Sequence, residues 1–175
     1  MTARCRAFLA PLALLSALAL GACAGYAGHG LVPGVADENA VRATMGEPAM
    51  RWPRDGGGAQ LAYPRGPAGF HTWMVFIGAD GRLERIENAL ESGHFARIVE
   101  GMTEDEVLRT LGPPQPQWTA YFPARDERVW EWRYCDSWNE AARFDVLFDG
   151  TTRKVRSTLS WTEGQKSHFS IGCSR

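Results

Sequence analysis

Residues 101–114 read Gly-Met-Thr-Glu-Asp-Glu-Val-Leu-Arg-Thr-Leu-Gly-Pro-Pro, and this stretch predicts a short amphipathic helix. Thr103 is suited to cap the helix start, and Glu106, three residues later, completes a capping box. An apolar stripe follows at Val107, Leu108 and Leu111. Gly112 then ends the helix, because glycine adopts the left-handed conformation at the lowest cost, and the two prolines after it prevent continuation.

The same pattern occurs 66 residues earlier in the chain. Residues 41–52 read Val-Arg-Ala-Thr-Met-Gly-Glu-Pro-Ala-Met-Arg-Trp, and residues 107–118 read Val-Leu-Arg-Thr-Leu-Gly-Pro-Pro-Gln-Pro-Gln-Trp. The identical positions are Val41 and Val107, Thr44 and Thr110, Gly46 and Gly112, Pro48 and Pro114, and Trp52 and Trp118. Asp37 is placed to cap the earlier helix. This self-similarity indicates an internal duplication.

Each predicted helix is followed by segments that alternate like β-strands. Residues 60–63 align with residues 129–132, and both alternate in polarity as half-buried strands do. Residues 74–83 align with residues 146–155, each with an apolar strand, a turn containing glycine and the start of a return strand. We therefore predict an α+β fold of two tandem helix-plus-antiparallel-sheet units that pack together. The predicted units span residues 34–98 and 99–161, followed by a tail at residues 162–175.

Residues 1–22 resemble the signal peptide of a bacterial lipoprotein. Basic residues precede an apolar run that is too short for a membrane-spanning helix. The run ends in Leu20-Gly21-Ala22-Cys23, which resembles the lipobox, where the cysteine is acylated and the chain is cut before it. We expect lipid on Cys23 and a flexible tether over residues 23–33. The alternative is an ordinary secretory signal that is cut nearby.

The residue after the acylated cysteine bears on the destination. Ala24 stands there, and by resemblance to known sorting rules a residue other than Asp favours the outer membrane. We therefore expect the protein on the periplasmic face of the outer membrane of a Gram-negative bacterium.

Charge and cysteine content narrow the class of protein further. The signal segment holds Arg4 and Arg6 and no acid, so the 19 basic and 20 acidic residues become 17 and 20 on cleavage. A net charge near −3 argues against nucleic acid, whose binding needs a basic patch. Cys135 and Cys173 remain as a pair in an oxidising compartment, which favours a disulfide between them. The alternative is two free buried thiols.

Clusters of side chains for catalysis or metal binding are missing from the sequence. No two histidines have the spacing of a metal site, the four being His29, His71, His94 and His168. Nucleotide-binding loops and nucleophile elbows are also missing. We therefore expect a binding protein without metal or cofactor, and not an enzyme.

Aromatic residues are the features most suggestive of function. Trp130, Trp132 and Tyr134 alternate with polar residues and so share one face of a strand, which can be core. Trp138 lies in the loop that follows and has no such explanation. Exposed Trp and Tyr side chains are typical of interface hot spots. The candidate partner-binding residues are Trp118, Tyr121, Phe122 and Trp138.

Residues 101–114 also resemble the signature of the SmpA/OmlA (BamE-like) family of small outer-membrane lipoproteins. The shared features are Gly-Met-Thr at 101–103, Leu-Gly-x-Pro at 111–114, Phe148-Asp149 in a closing strand, and the lipobox at Cys23. The resemblance implies a lipid-anchored periplasmic scaffold that supports outer-membrane protein assembly or envelope integrity. Its partners would be other envelope proteins, β-barrel assembly components among them.

The duplicated helix-and-sheet unit is also similar to the β-lactamase-inhibitor protein fold. This second resemblance implies a different function, namely a binder or inhibitor of a periplasmic enzyme. That function would use a concave aromatic surface that spans both copies.

Overall fold

A computed structural model describes residues 27–66, 69–167 and 172–173 of the 175-residue chain. The signal peptide and Cys23 lie outside the described residues. The first copy consists of α1 (Glu38–Met45), β1 (Met50–Pro53), β2 (Ala59–Pro64), β3 (Thr72–Ile77) and β4 (Leu83–Asn88). A short helix, α2 (Ser92–Phe95), connects it to the second copy.

The second copy repeats this order with longer strands. It consists of α3 (Glu104–Leu111), β5 (Ala120–Phe122), β6 (Glu127–Cys135), β7 (Ala141–Asp149) and β8 (Val155–Thr162), followed by α4 (Glu163–Ser167). Two 3-10 turns, Pro116–Trp118 and Pro123–Arg125, lie on either side of β5. The strands form two antiparallel sheets, ordered β1-β2-β3-β4 and β5-β6-β7-β8. The predicted α+β fold with two tandem helix-plus-sheet units is confirmed.

The two long helices match residue for residue at the predicted offset. Asp37 caps α1 by accepting the Ala40 amide at 2.8 Å. Thr103, at the equivalent position, caps α3 in a complete capping box with Glu106. The glycine after each helix has a positive φ, as expected where the chain must reverse out of a helix.

The strand ladders correct two details of the predicted alignment. Leu83 pairs with Ile77 and Val155 pairs with Phe148, so Ile77 and not Phe76 is the equivalent of Phe148. The turn between these strands is therefore one residue longer in the second copy. The first strands also differ, because Trp52 lies in β1 whereas Trp118 lies in the 3-10 turn before β5.

Helices and sheets alternate in four layers: α1, first sheet, α3, second sheet. Val41 and Met45 of α1 pack on one face of the first sheet. The opposite face of that sheet packs against Leu108 of α3 through its buried residues Trp52, Ala62, Met74, Phe76 and Ala89. Val107 and Leu111 of α3 are fully buried in the core of the second sheet. The helix of the second copy thus separates the two sheets and contacts both.

Polar contacts fix α3 against the first sheet. Gln60 Nε2 donates to the Arg109 carbonyl at 2.6 Å, and Trp52 Nε1 donates to Asp105 Oδ1 at 3.3 Å. Burial of Val107 and Leu111 on the other side contributes roughly 1.5–3 kcal/mol per side chain. Because α3 covers one face of the second sheet, the opposite face of that sheet, its outer face, lies away from the interface between the two units.

Candidate binding surface

The hairpin tip between β6 and β7 is a closely hydrogen-bonded turn. Asp136 Oδ1 accepts the amides of Trp138 at 2.9 Å and Glu140 at 2.8 Å. The Asp136 amide donates to the Glu140 carbonyl at 3.0 Å, which closes the turn. Asn139 supplies the left-handed residue at φ 61°, a conformation that Asn tolerates well. Hydrogen bonds from the Asp136 carboxylate and within the backbone therefore hold the loop in one conformation.

A disulfide braces the same tip from outside the hairpin. Cys135 and Cys173 are bonded, with their Cα atoms 5.9 Å apart, as expected from the sequence. The Cys173 amide donates to the Asn139 carbonyl at 3.0 Å, and Gly172 bridges to Glu140. Cys173 packs beside Phe70 of the first copy and Ala141. Gly172 and Cys173 are thereby held against the loop that carries Trp138.

Trp138 projects from this braced loop into solvent. Its side chain is 85% exposed, whereas Trp52, Trp130 and Trp132 are buried. The core face of β6 is the one that carries Trp130 and Trp132, which explains those rings by packing alone. Exposure of the largest apolar side chain on an ordered loop has no such packing explanation.

The remaining predicted binding residues lie elsewhere. Tyr121 and Phe122, 50% and 41% exposed, are in β5, which pairs with the start of β6. Tyr121 pairs with Arg128, seven residues before Cys135, which at about 3.3 Å per residue puts it roughly 20 Å from the hairpin tip. The structure therefore does not bring Tyr121 and Phe122 together with Trp138. The Tyr121 hydroxyl instead donates to Asp126 Oδ1 at 2.7 Å.

Trp118 is partly covered and lies on the outer face of the second sheet. The Arg143 guanidinium lies 3.8 Å from the centre of the Trp118 ring. Arg143 also binds Glu131 and Glu163 at 2.7 Å each, and Glu163 binds Arg133 at 2.7 Å. Trp118 thus stacks on an ion network instead of presenting a free ring.

The strand register creates this network. Glu131 stands directly opposite Asp145, and Arg133 stands directly opposite Arg143. Like charges in such positions repel, and the Arg143–Glu131 and Arg133–Glu163 pairs offset that repulsion. Asp145 is 8% exposed; its Oδ2 accepts the Trp161 indole N–H at 2.9 Å, while its buried Oδ1 has no hydrogen-bond donor among the described residues.

Burial and the facing carboxylate change how Glu131 titrates. Burial raises the pKa of Glu131 above its ordinary value, and Asp145 raises it further, against the opposing effect of Arg143. A proton on Glu131 would supply the missing donor to Asp145. Sequence reasoning missed this pair, although the alternation in β6 and β7 places both carboxylates on the same side of the sheet.

Sites of other kinds are not formed by the described residues. Within residues 27–66, 69–167 and 172–173, no group of three or more His, Cys, Asp or Glu side chains is placed to hold a metal ion. In the same ranges, no helix is both long enough and apolar enough to cross a membrane.

Comparisons with known proteins identify no relative from which a function could be transferred. No protein-family model matches the chain, and no curated protein is significantly similar to it. Among solved structures, one similar chain is an extracellular protein containing a SCP domain from Bacillus anthracis str. Ames, with 11% sequence identity and a TM-score of 0.28. The match covers 77% of this chain and 45% of that one, so this chain spans less than half of that protein. A likeness at this level carries no argument about fold or function.

Proposed function

We propose that this chain is a lipid-anchored periplasmic binding module of the outer membrane, similar to the SmpA/OmlA lipoproteins, which docks an envelope protein on its β6–β7 hairpin tip. The observation that carries the proposal is Trp138, 85% exposed in the middle of an ordered loop. Trp is among the residues that contribute most to protein–protein interfaces. Support for the outer-membrane assembly or envelope role comes from the motif at residues 101–114 and the lipobox at Cys23.

The construction of the loop favours binding by a preformed surface. Asp136 accepts the amides of Trp138 and Glu140, which lie on opposite sides of the turn. Cys173, bonded to Cys135, also donates its amide to the Asn139 carbonyl, so the backbone is held before and after Trp138. A loop that is already ordered loses less conformational entropy when a partner binds, so more of the contact energy remains as affinity. Lipid on Cys23 would confine the module to the membrane surface and raise the local concentration of membrane-bound partners.

The test is co-purification from membranes of the native host. Full-length tagged protein is extracted in mild detergent, and partners are identified for the native chain and for Trp138→Ala. Tyr121→Ala is the matched control, because it removes an exposed ring about 20 Å away on the same sheet. We expect Trp138→Ala to lose most of the captured envelope partner and Tyr121→Ala to retain it, with both variants melting close to the native temperature.

A second set of outcomes separates the alternatives. Cys23→Ser should reduce capture of a membrane-bound partner, because it removes the anchor. Equal capture by Trp138→Ala and the native chain would contradict the proposal. Recovery of a single periplasmic enzyme, equally well without Cys23, would favour the enzyme-inhibitor alternative. That alternative expected a surface spanning both sheets, but α1 and α3 pack on the two faces of the first sheet.

A further inference from the structure

A cleft opens on the inner face of the second sheet, beside the hairpin tip. Its volume is about 560 Å³, within the range of ligand pockets in proteins. The cleft lies between the connecting helix α2 and the end of β6. The lining residues include Glu91, Ser92, Phe95, Tyr134, Asp136 and Ser137. Asp136 and Ser137 directly precede Trp138, so the cleft opens next to the loop that carries the exposed ring.

Aromatic rings form the floor of this cleft. The rings of Phe95 and Tyr134 meet edge to face with centres 4.7 Å apart. Phe95 also stacks on Phe144 at 4.1 Å, which ties the floor to the core of the sheet. Fixed rings of this kind accept the aliphatic stem of a long side chain and attract a cation at their faces.

Two carboxylates and three serine hydroxyl groups also line the cleft. Asp136 uses its Oδ1 for the turn amides, and Glu91 Oε1 accepts the Asn88 side-chain amide at 3.3 Å. Each carboxylate keeps a second oxygen for which the described residues provide no hydrogen bond. None of the eight lining residues is basic. The cleft therefore combines an aromatic floor with negative charge that its own lining does not balance.

From this charge complementarity we infer that the cleft takes a lysine or arginine side chain of the partner protein, inserted beside Trp138. The inference rests on the proposed function, since the same partner would cover both features. The stem of the inserted side chain lies on Phe95 and Tyr134, and its cationic head meets Glu91 and Asp136. Arginine fits best, because a planar guanidinium can stack on a ring and bind a carboxylate at the same time.

The test uses two short peptides and the full chain in mild detergent as Cys23→Ser, which removes the predicted acylation site and changes none of residues 27–175. The first peptide is acetyl-Gly-Arg-Gly-amide; the second has citrulline, which is uncharged and nearly the same shape, in place of arginine. Binding is followed by amide and indole NMR shifts. We expect saturable shifts at Ser92, Ser137 and Trp138 with the arginine peptide, and none with the citrulline peptide.

Substitutions in the cleft supply the second readout. Glu91→Gln and Asp136→Asn each remove one charge and keep an oxygen for the existing hydrogen bonds. Each should weaken binding about two- to fivefold, as expected for a partly exposed ion pair. Asp55→Asn, in the exposed turn after β1, removes the same charge far from the cleft and should leave affinity unchanged.

Several results would overturn the inference. Equal binding of both peptides, unchanged affinity in Glu91→Gln and Asp136→Asn, or binding of phosphorylethanolamine in preference to the arginine peptide would each do so. Its failure is distinct from failure of the proposed function. If Trp138→Ala abolishes partner capture while the two cleft variants capture normally, Trp138 belongs to the docking site and the cleft does not take a basic side chain of the partner. If the two cleft variants lose capture while Trp138→Ala retains it, the cleft belongs to the docking site and Trp138 does not.

Discussion

In the second sheet, the fold raises the pKa of one carboxyl group, that of Glu131, and lowers the pKa of another, that of Asp149. Glu131 faces Asp145 across the ladder, and Arg143, Arg133 and Glu163 of α4 surround the pair. Asp149, the last residue of β7, accepts the amides of Thr151 and Thr152 and is bound by Arg156. Glu131 holds its proton more tightly in the folded chain, whereas Asp149 releases its proton more readily.

We expect Glu131→Gln to change how stability depends on pH. A carboxyl group with a raised folded pKa stabilises the fold below its ordinary value of 4.5, and this contribution is lost as pH rises through the raised value. Gln donates a hydrogen bond at every pH. Urea unfolding at several pH values should therefore show that the free energy of unfolding of Glu131→Gln rises relative to that of the native chain between pH 4 and pH 8.

An exposed acid provides the control for this experiment. Glu100→Gln removes the same charge from a solvent-exposed position, and its difference from the native chain should vary little with pH. A pH-independent difference for Glu131→Gln as well would show that Glu131 and Asp145 do not share a proton.

Asp149→Asn should show the opposite dependence. The Thr152 amide, followed by the Arg156 guanidinium, lowers the pKa of Asp149 to about 2 from 3.8. Its contribution to stability is therefore present above 3.8 and is lost as pH falls toward 2. Thermal unfolding followed by circular dichroism should give a lower Tm for the variant at pH 7, with the two curves converging at low pH. A constant difference down to pH 2 would contradict this account.

At the scale of elements, the start of α3 is better capped than the start of α1. Thr103 and Glu106 exchange hydrogen bonds in both directions, whereas Asp37 accepts from Ala40, which cannot reciprocate. The third helical residue is thus Glu in one copy and Ala in the other. Because α3 contacts both sheets, fraying at its start would loosen the whole stack.

We expect Thr103→Ala to lower the free energy of unfolding by about 1 kcal/mol, within the range of roughly 0.5–2 for loss of an N-cap. The reason is that the Glu106 amide loses its acceptor and the Thr103 hydroxyl no longer holds the Glu106 carboxylate. Urea unfolding measures the change. Thr103→Ser keeps a hydroxyl and should stay close to the native chain; an equal loss in Thr103→Ser would point to the methyl group instead.

At the scale of the whole molecule, one glycine joins a helix end to the inter-unit interface. Gly112 and Gly46 end α3 and α1 with similar backbones, at φ 76° and 85°. A Cβ on Gly112 would lie 2.6 Å from Thr72 Cγ2 and 3.3 Å from Met74 Cε in the first sheet, whereas a Cβ on Gly46 would meet nothing within 4 Å. The backbone requirement is shared by both copies, and the packing requirement belongs to the second.

Gly46→Ala and Gly112→Ala therefore form a matched pair. Each should lose about 1–3 kcal/mol for a backbone conformation that suits only glycine. Gly112→Ala should lose a further 1–3 kcal/mol, roughly, because the added methyl group is forced against the first sheet. Denaturant unfolding measures both. Equal losses would mean that the two units do not pack through α3 as described.

Much of the fold could be predicted because its signals are local. Thr103 and Glu106 mark a helix start by chemistry within four residues, and Gly112 marks the end by a conformation that only glycine takes cheaply. Alternation in β6 separates Trp130 and Trp132 from Glu131 within a single strand. The exposure of Trp138 was also predictable, since a polar loop between two strands offers no face on which to bury it.

The amino-acid pattern alone predicts the repeated unit, the α+β class and the residues that begin and end the long helices, because these depend on neighbours along the chain. The packing of the folded chain was needed to show that α3 contacts both sheets, since Leu108 meets the first sheet while Val107 and Leu111 meet the second. It also separated Tyr121 from Trp138 and placed Glu131 against Asp145, because register between strands is set by packing of the whole sheet.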